Sequence, residues 1–143
     1  MNKYERALVT LGLSQVTQTL SAEQAAKTYS SVGIIKKIGV GVYTDSLSMF
    51  PLADLQWGML VSDSRQYLTV YIRNEGNTST TLGMHSTSWY PSNAESFLDL
   101  TWDYNGQLIN PSDSVPVTFI LIVSPAIEGI TDFGFDLTIV ATG

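Results

Sequence analysis

The sequence predicts an all-β fold, a seven-stranded antiparallel sandwich preceded by one N-terminal α-helix, and three observations carry that prediction. From Ser31 onward apolar and polar residues alternate with period two, the pattern of strands that bury one face. Turn-forming residues punctuate the alternation often enough to leave seven strand-length segments within about 110 residues, the spacing of a sandwich. Helical spacing is confined to one window near the start, where Val9, Leu13, Val16 and Leu20 follow a 4-3-4 interval.

The N-terminal unit is residues 1–30, an amphipathic helix whose turns toward Lys27 are rich in Ala, Gln, Glu and Lys. Gly12 is its weak point, because glycine costs about 1 kcal/mol against alanine inside a helix. A competing reading takes Val9, Leu11 and Leu13 as strand alternation and lets Ser21-x-x-Gln24 cap a shorter helix. The β-domain is residues 31–143. Its first strand is VGIIKKIGVGVYTD, residues 32–45, where Gly33, Gly39 and Gly41 suggest a bend or bulge. DLQWGMLVS, residues 54–62, is the second, and the Ser62-Asp63-Ser64 turn reverses the chain into the third, QYLTVYIRN. There Leu68, Val70 and Ile72 share one face, and Asn74 to Asn77 end the strand because Asn and Gly tolerate positive φ. Gly58 is read as letting backbone approach closely beneath Trp57. TTLGMHSTSWYP is the fourth strand, closed by Pro91; FLDLTWDY is the fifth, with Asn105-Gly106 as a hairpin signal. VPVTFILIVSP and FGFDLTIVAT complete the set.

Composition narrows the function classes. The chain has 143 residues, 44% hydrophobic and only 14% charged, enough to bury a single core and too little charge for disorder. A formal charge of -6 with seven Lys and Arg in all argues against nucleic acid, whose phosphates need clustered cations. The paired Lys36-Lys37 is read as a strand edge or solvent face. No cysteine is present, which removes disulfides, thiolate metal sites and a cysteine nucleophile together. The apolar positions near the start are broken by Thr10, Ser14, Gln15, Thr17, Gln18 and Thr19, so the segment as written is not expected to insert in a membrane.

The run DLQWGMLVSDSRQYLTVYIRNEGN, followed by LTWDYNGQLINPSDSVPVTFILIVSP, resembles the immunoglobulin-like sandwich domains of archaeal cell-surface proteins and the wider CARDB-like and major-sperm-protein-like domains. The shared order is an aromatic-Gly pair, a turn, a long strand ending in Asn-x-Gly, a Trp-containing strand, and a polar turn before an apolar strand. The resemblance covers residues 31–143 and implies an extracellular, cell-surface structural protein. Such domains follow an N-terminal apolar anchor; here that segment is interleaved with polar residues. Two origins fit it, a natural helix that packs on other subunits or a spanning helix whose exposed positions were exchanged for polar ones.

No constellation for chemistry emerges, so no catalytic, cofactor or metal residues are assigned. His85, the sole histidine, has no second His or Cys beside it. Asp99 and Asp103 share strand parity around Trp102, as an acid and base pair would, but exposed strand carboxylates are the ordinary reading. Asp113 in NPSDS, or the loop holding Glu128 and Asp132, offers hard oxygen ligands for calcium; metal-free acidic turns are commoner. Asn77-Thr78-Ser79 is a formal glycosylation sequon. Trp57 and Trp102 read as core, and Trp89-Tyr90 as the aromatic edge that a carbohydrate or protein ligand would use. The leading expectation is therefore a non-enzymatic surface protein that self-assembles into a filament or oligomer. The stripe Val9, Leu13, Val16 and Leu20 is its assembly seam, and an adhesion or recognition module is the alternative.

Overall fold

The computed structural model describes residues 22–143. The chain divides into two units, Met1–Ile34 and Ile35–Gly143. Of the first, residues 22–34 carry no regular secondary structure, so the stretch 22–30 of the expected helix is irregular chain. The stripe Val9, Leu13, Val16 and Leu20 lies outside the described residues.

The second unit is all-β. Six strands are present among the described residues: β1 (Val40–Tyr43), β2 (Arg65–Asn74), β3 (Thr81–Tyr90), β4 (Leu98–Trp102), β5 (Ser114–Val123) and β6 (Gly134–Thr142), with a short 3-10 turn at Ser92–Ser96. They form two antiparallel sheets, one ordered β1-β2-β5-β4 and the other pairing β3 with β6. β2 and β5 are its longest partners, in register from Arg65↔Ile122 to Arg73↔Ser114. Alternation along these two strands puts Val70 and Ile72 beside Val117, Phe119, Leu121 and Val123, all buried. Their opposite face is polar or half-buried, and there the Thr69 and Thr118 hydroxyls meet at 2.8 Å. Pro116 lacks a donor, and it falls in the half of β5 that β4 does not reach.

Two expected strands differ. The first shrinks from residues 32–45 to Val40–Tyr43, because the backbone just before it serves a neighbouring loop instead of a ladder. Glu75 N donates to Gly39 O, Asn77 N donates to Lys37 O, and Lys37 N donates to the Asn77 side chain at 2.7 Å. Lys36 and Lys37 are thus exposed on irregular chain, not on a strand. No bulge forms at Gly41, which keeps register with Arg73. The second expected strand, residues 54–62, is irregular throughout. Leu55 and Trp57 turn inward two residues apart as a strand's would, and Leu60 turns inward out of step with them while Met59 is exposed, but residues 53–62 make no backbone-to-backbone hydrogen bond among the described residues. A strand is made by its neighbour's hydrogen bonds, and among the described residues no strand is laddered to this one.

Three local readings change for physical reasons. Asn74 ends β2 through its buried side chain, not through positive φ. Its Oδ1 accepts from Gly76 N at 2.9 Å, and its Nδ2 donates to Thr78 O and Ile109 O at 2.8 and 2.9 Å, an Asx-type turn that satisfies the whole amide. Gly58 has φ +72° with open space where a Cβ would stand, so its need is conformational, not steric. Asn105-Gly106 is a turn inside an eleven-residue connection between β4 and β5, residues 103–113, and not a two-residue hairpin. Tyr104 closes that connection by donating to Gln107 O while accepting from Leu82 N on β3.

Candidate functional site: an open groove beside β6

The candidate residues named from sequence are scattered. His85 is exposed on β3 opposite Thr138. Asp99 is exposed on β4, whereas Asp103 just beyond it accepts from Thr118 N at 2.8 Å and so fixes the β4–β5 connection. The carbonyl of Asp113 accepts from Asn74 N, and Asp132 accepts from the Thr131 hydroxyl at 3.3 Å. No group of three or more His, Cys, Asp or Glu suited to a metal ion occurs among the described residues. No described helix is long and apolar enough to cross a membrane. The Asn77 amide is engaged at both ends, accepting from Lys37 N and donating to Ile35 O at 2.9 Å.

The aromatic residues divide as their packing requires. Trp57 is buried, and Trp102 stacks on Phe119 with centroids 5.9 Å apart. Trp89 stacks on Phe135 with centroids 4.3 Å apart and planes 19° from parallel, and its indole N–H donates to the Ser86 hydroxyl at 3.1 Å. Of the proposed ligand edge, then, Trp89 is held by its own domain, and Tyr90, 67% exposed, projects from it.

What sequence reasoning did not reveal is a groove. It has a volume of about 1330 Å³ and runs between the irregular segment 53–62 and the strand β6. Consecutive β6 residues from Gly134 to Leu137 line it, including those whose side chains point to opposite faces. Its wall on that side is therefore the strand's edge. β6 pairs only with β3, and Gly134–Thr142 makes no other backbone-to-backbone hydrogen bond among the described residues. The floor is apolar, with Val42, Phe119, Val123 and Ile139 beneath. Its charged rim is of one sign: Asp54, Asp132 and Asp136 line it, and no Lys or Arg does. The signal that pointed here was the strand-like alternation at 54–62 without a partner strand.

Electrostatics elsewhere concern turns. Burial raises the Asp45 carboxyl, but the N–H groups of Phe50 and Met49, 2.9 and 3.0 Å from its Oδ1, outweigh that and hold its pKa below the ordinary carboxylate value. Tyr43 is raised, first by its hydrogen bond to Glu75 at 3.1 Å and then by burial.

Comparison of the chain with protein-family models, with curated proteins and with solved structures returns no match.

Proposed function

We infer that the chain is a non-enzymatic structural subunit of the archaeal cell-surface kind, an immunoglobulin-like sandwich that self-assembles into an oligomer or filament through its N-terminal part. The observation that carries this reading is the apolar surface left uncovered. Tyr29, Val32, Ile34 and Ile35 are each more than three-quarters exposed, and Met49, Phe50, Met59 and Val61 are each more than three-fifths exposed. Isolated soluble chains rarely leave so many large apolar side chains in water, and uncovered apolar surface of this extent marks contacts with other chains. The stripe Val9, Leu13, Val16 and Leu20 adds a second apolar seam in the same part of the sequence.

Light scattering tests the reading. The intact chain is expected to associate as concentration rises, and Leu13→Ser with Val16→Ser is expected to weaken that association while far-UV circular dichroism stays β-type. An intact chain that remains monomeric at millimolar concentration would remove the assembly reading. The alternative, a carbohydrate- or protein-recognition module, rests on the exposed ring of Tyr90. Binding on a glycan array abolished by Tyr90→Ala would favour it, and that variant spares the Trp89–Phe135 stack.

A further inference from the structure

We propose that the groove beside β6 is an acceptor site for one extended strand, and that its occupant is the segment 28–34 of a second copy of this chain. The proposal rests on the self-assembly reading and names the surface through which assembly runs.

Both halves of the pairing are visible and each lacks its partner. On the acceptor side stand two lengths of backbone unpaired among the described residues, the outer edge of β6 and the segment 53–62. A bare sheet edge presents a row of N–H and C=O groups that is a template for another strand. Addition of a strand there supplies main-chain hydrogen bonds for affinity and side-chain pockets for specificity. At about 1330 Å³ the groove exceeds the roughly 300–1,000 Å³ usual for small-molecule pockets. It suits a length of polypeptide better than a small ligand.

The donor side is the irregular chain before β1. Val32 and Ile34 are 95% and 86% exposed, and two residues apart they fall on one face of an extended segment. Seven residues at about 3.3 Å each span roughly 23 Å, enough to run the length of the β6 stretch Gly134–Ile139 that borders the groove, roughly 20 Å. From Ile35 onward the chain is tied to Asn77 and Glu75, so residues 28–34 are the apolar stretch nearest β1 that is free of those ties. Charge matches as well. Lys27, Lys36 and Lys37 bracket the segment and residues 27–37 contain no acid, whereas Asp54, Asp132 and Asp136 rim the groove without a cation. Opposite signs across an interface favour encounter and fix register.

A strand seated between β6 and 53–62 hydrogen-bonds to both. It converts the two-stranded sheet into four strands, β3, β6, the donor and the segment 54–62, which then face the four of the other sheet. That completes the sandwich whose second strand the sequence encodes and the single chain leaves unpaired. Because each subunit offers one donor and one acceptor at different places, the contact is head-to-tail and propagates.

The absence of native cysteine makes thiol cross-linking clean. Full-length single-cysteine chains are mixed, Val32→Cys with Thr131→Cys or Met59→Cys, the last two lying on opposite walls of the groove. Linkage is induced by a short bismaleimide and identified by mass spectrometry of joined peptides, with light scattering on the same samples. The expected result is linkage of position 32 to both walls, near-background linkage to Asp99→Cys on β4, and a severalfold loss of linkage in Lys27→Glu. Association by light scattering without linkage to either wall overturns the groove as the site and leaves the assembly reading standing. No association at all overturns both. A chain carrying Val32→Cys and Thr131→Cys together that links within one monomer at high dilution overturns the second copy as occupant.

Discussion

The two sheets face the same core and meet it unequally. In the sheet β1-β2-β5-β4, the inward side chains of β2 and β5 are almost all sealed, with Ile72, Phe119 and Leu121 at 0% exposure. In the pair β3-β6, the corresponding residues Met84, Phe135, Leu137 and Ile139 are only partly buried, though they pack against the same cluster. Their sequences do not explain the difference: β6 alternates as cleanly as β5. The number of neighbours does. Among the described residues β5 has a strand on each side, whereas β6 has one, so water reaches β6 from its open edge. Apolar alternation states which face is to be buried, and strand count decides how far burial goes.

The largest effect that would break this comparison is a core truncation in the sealed sheet. Phe119→Ala removes a ring with no solvent exposure and is expected to cost about 3–5 kcal/mol in chemical denaturation. Leu137→Ala on β6 is expected to cost about 1 kcal/mol, since a half-buried side chain contributes only part of its transfer energy. Equal costs would mean that the groove is already closed in solution. Asn74→Ala comes between them at about 1–3 kcal/mol, because it takes the side-chain partner from the N–H of Gly76 and the carbonyl of Thr78 and leaves the buried Ile109 carbonyl with Thr80 N as its remaining donor. Chemical denaturation of that variant with an unchanged m-value would keep the loss local.

Amide hydrogen exchange sharpens the contrast without mutation. In the monomeric protein, alternate β6 amides that face the open edge should exchange far faster than those of β5 between Phe119 and Ile122, which are laddered on both sides. Uniform protection along β6 would show that its edge is covered.

The smallest expected effect is a pH dependence. The Asp45 carboxyl has a folded pKa below its unfolded value of about 3.9. Its stabilisation of the 45–50 turn is therefore fully present above that value and is lost as pH falls through the lower folded one. Asp45→Ala should flatten this acid limb in a denaturation series, because it lowers stability at neutral pH by the small amount that the unmutated chain loses only in acid. A limb of the same steepness in the variant would assign the acid loss to another group.

Much of the fold was legible in the residues themselves. Period-two alternation located β2, β3, β4, β5 and β6, and it assigned Val70 and Ile72 to the core side, because the pleat alone decides which side chains share a face. What the alternation left open was pairing. Residues 32–39 and 54–62 carry strand pattern equally well, yet only Val40–Tyr43 of the first segment is laddered and none of the second is. Strand identity depends on hydrogen bonds to chain that is distant in sequence, and no local window contains them. The end of β2 had the same character: Asn74 was visible as a stop, but its partner Ile109 lies 35 residues away. The groove was hidden for that reason too. It is the place where a strand's partner is missing, and sequence alone records the strand's pattern while only the tertiary structure decides whether a neighbour stands beside it.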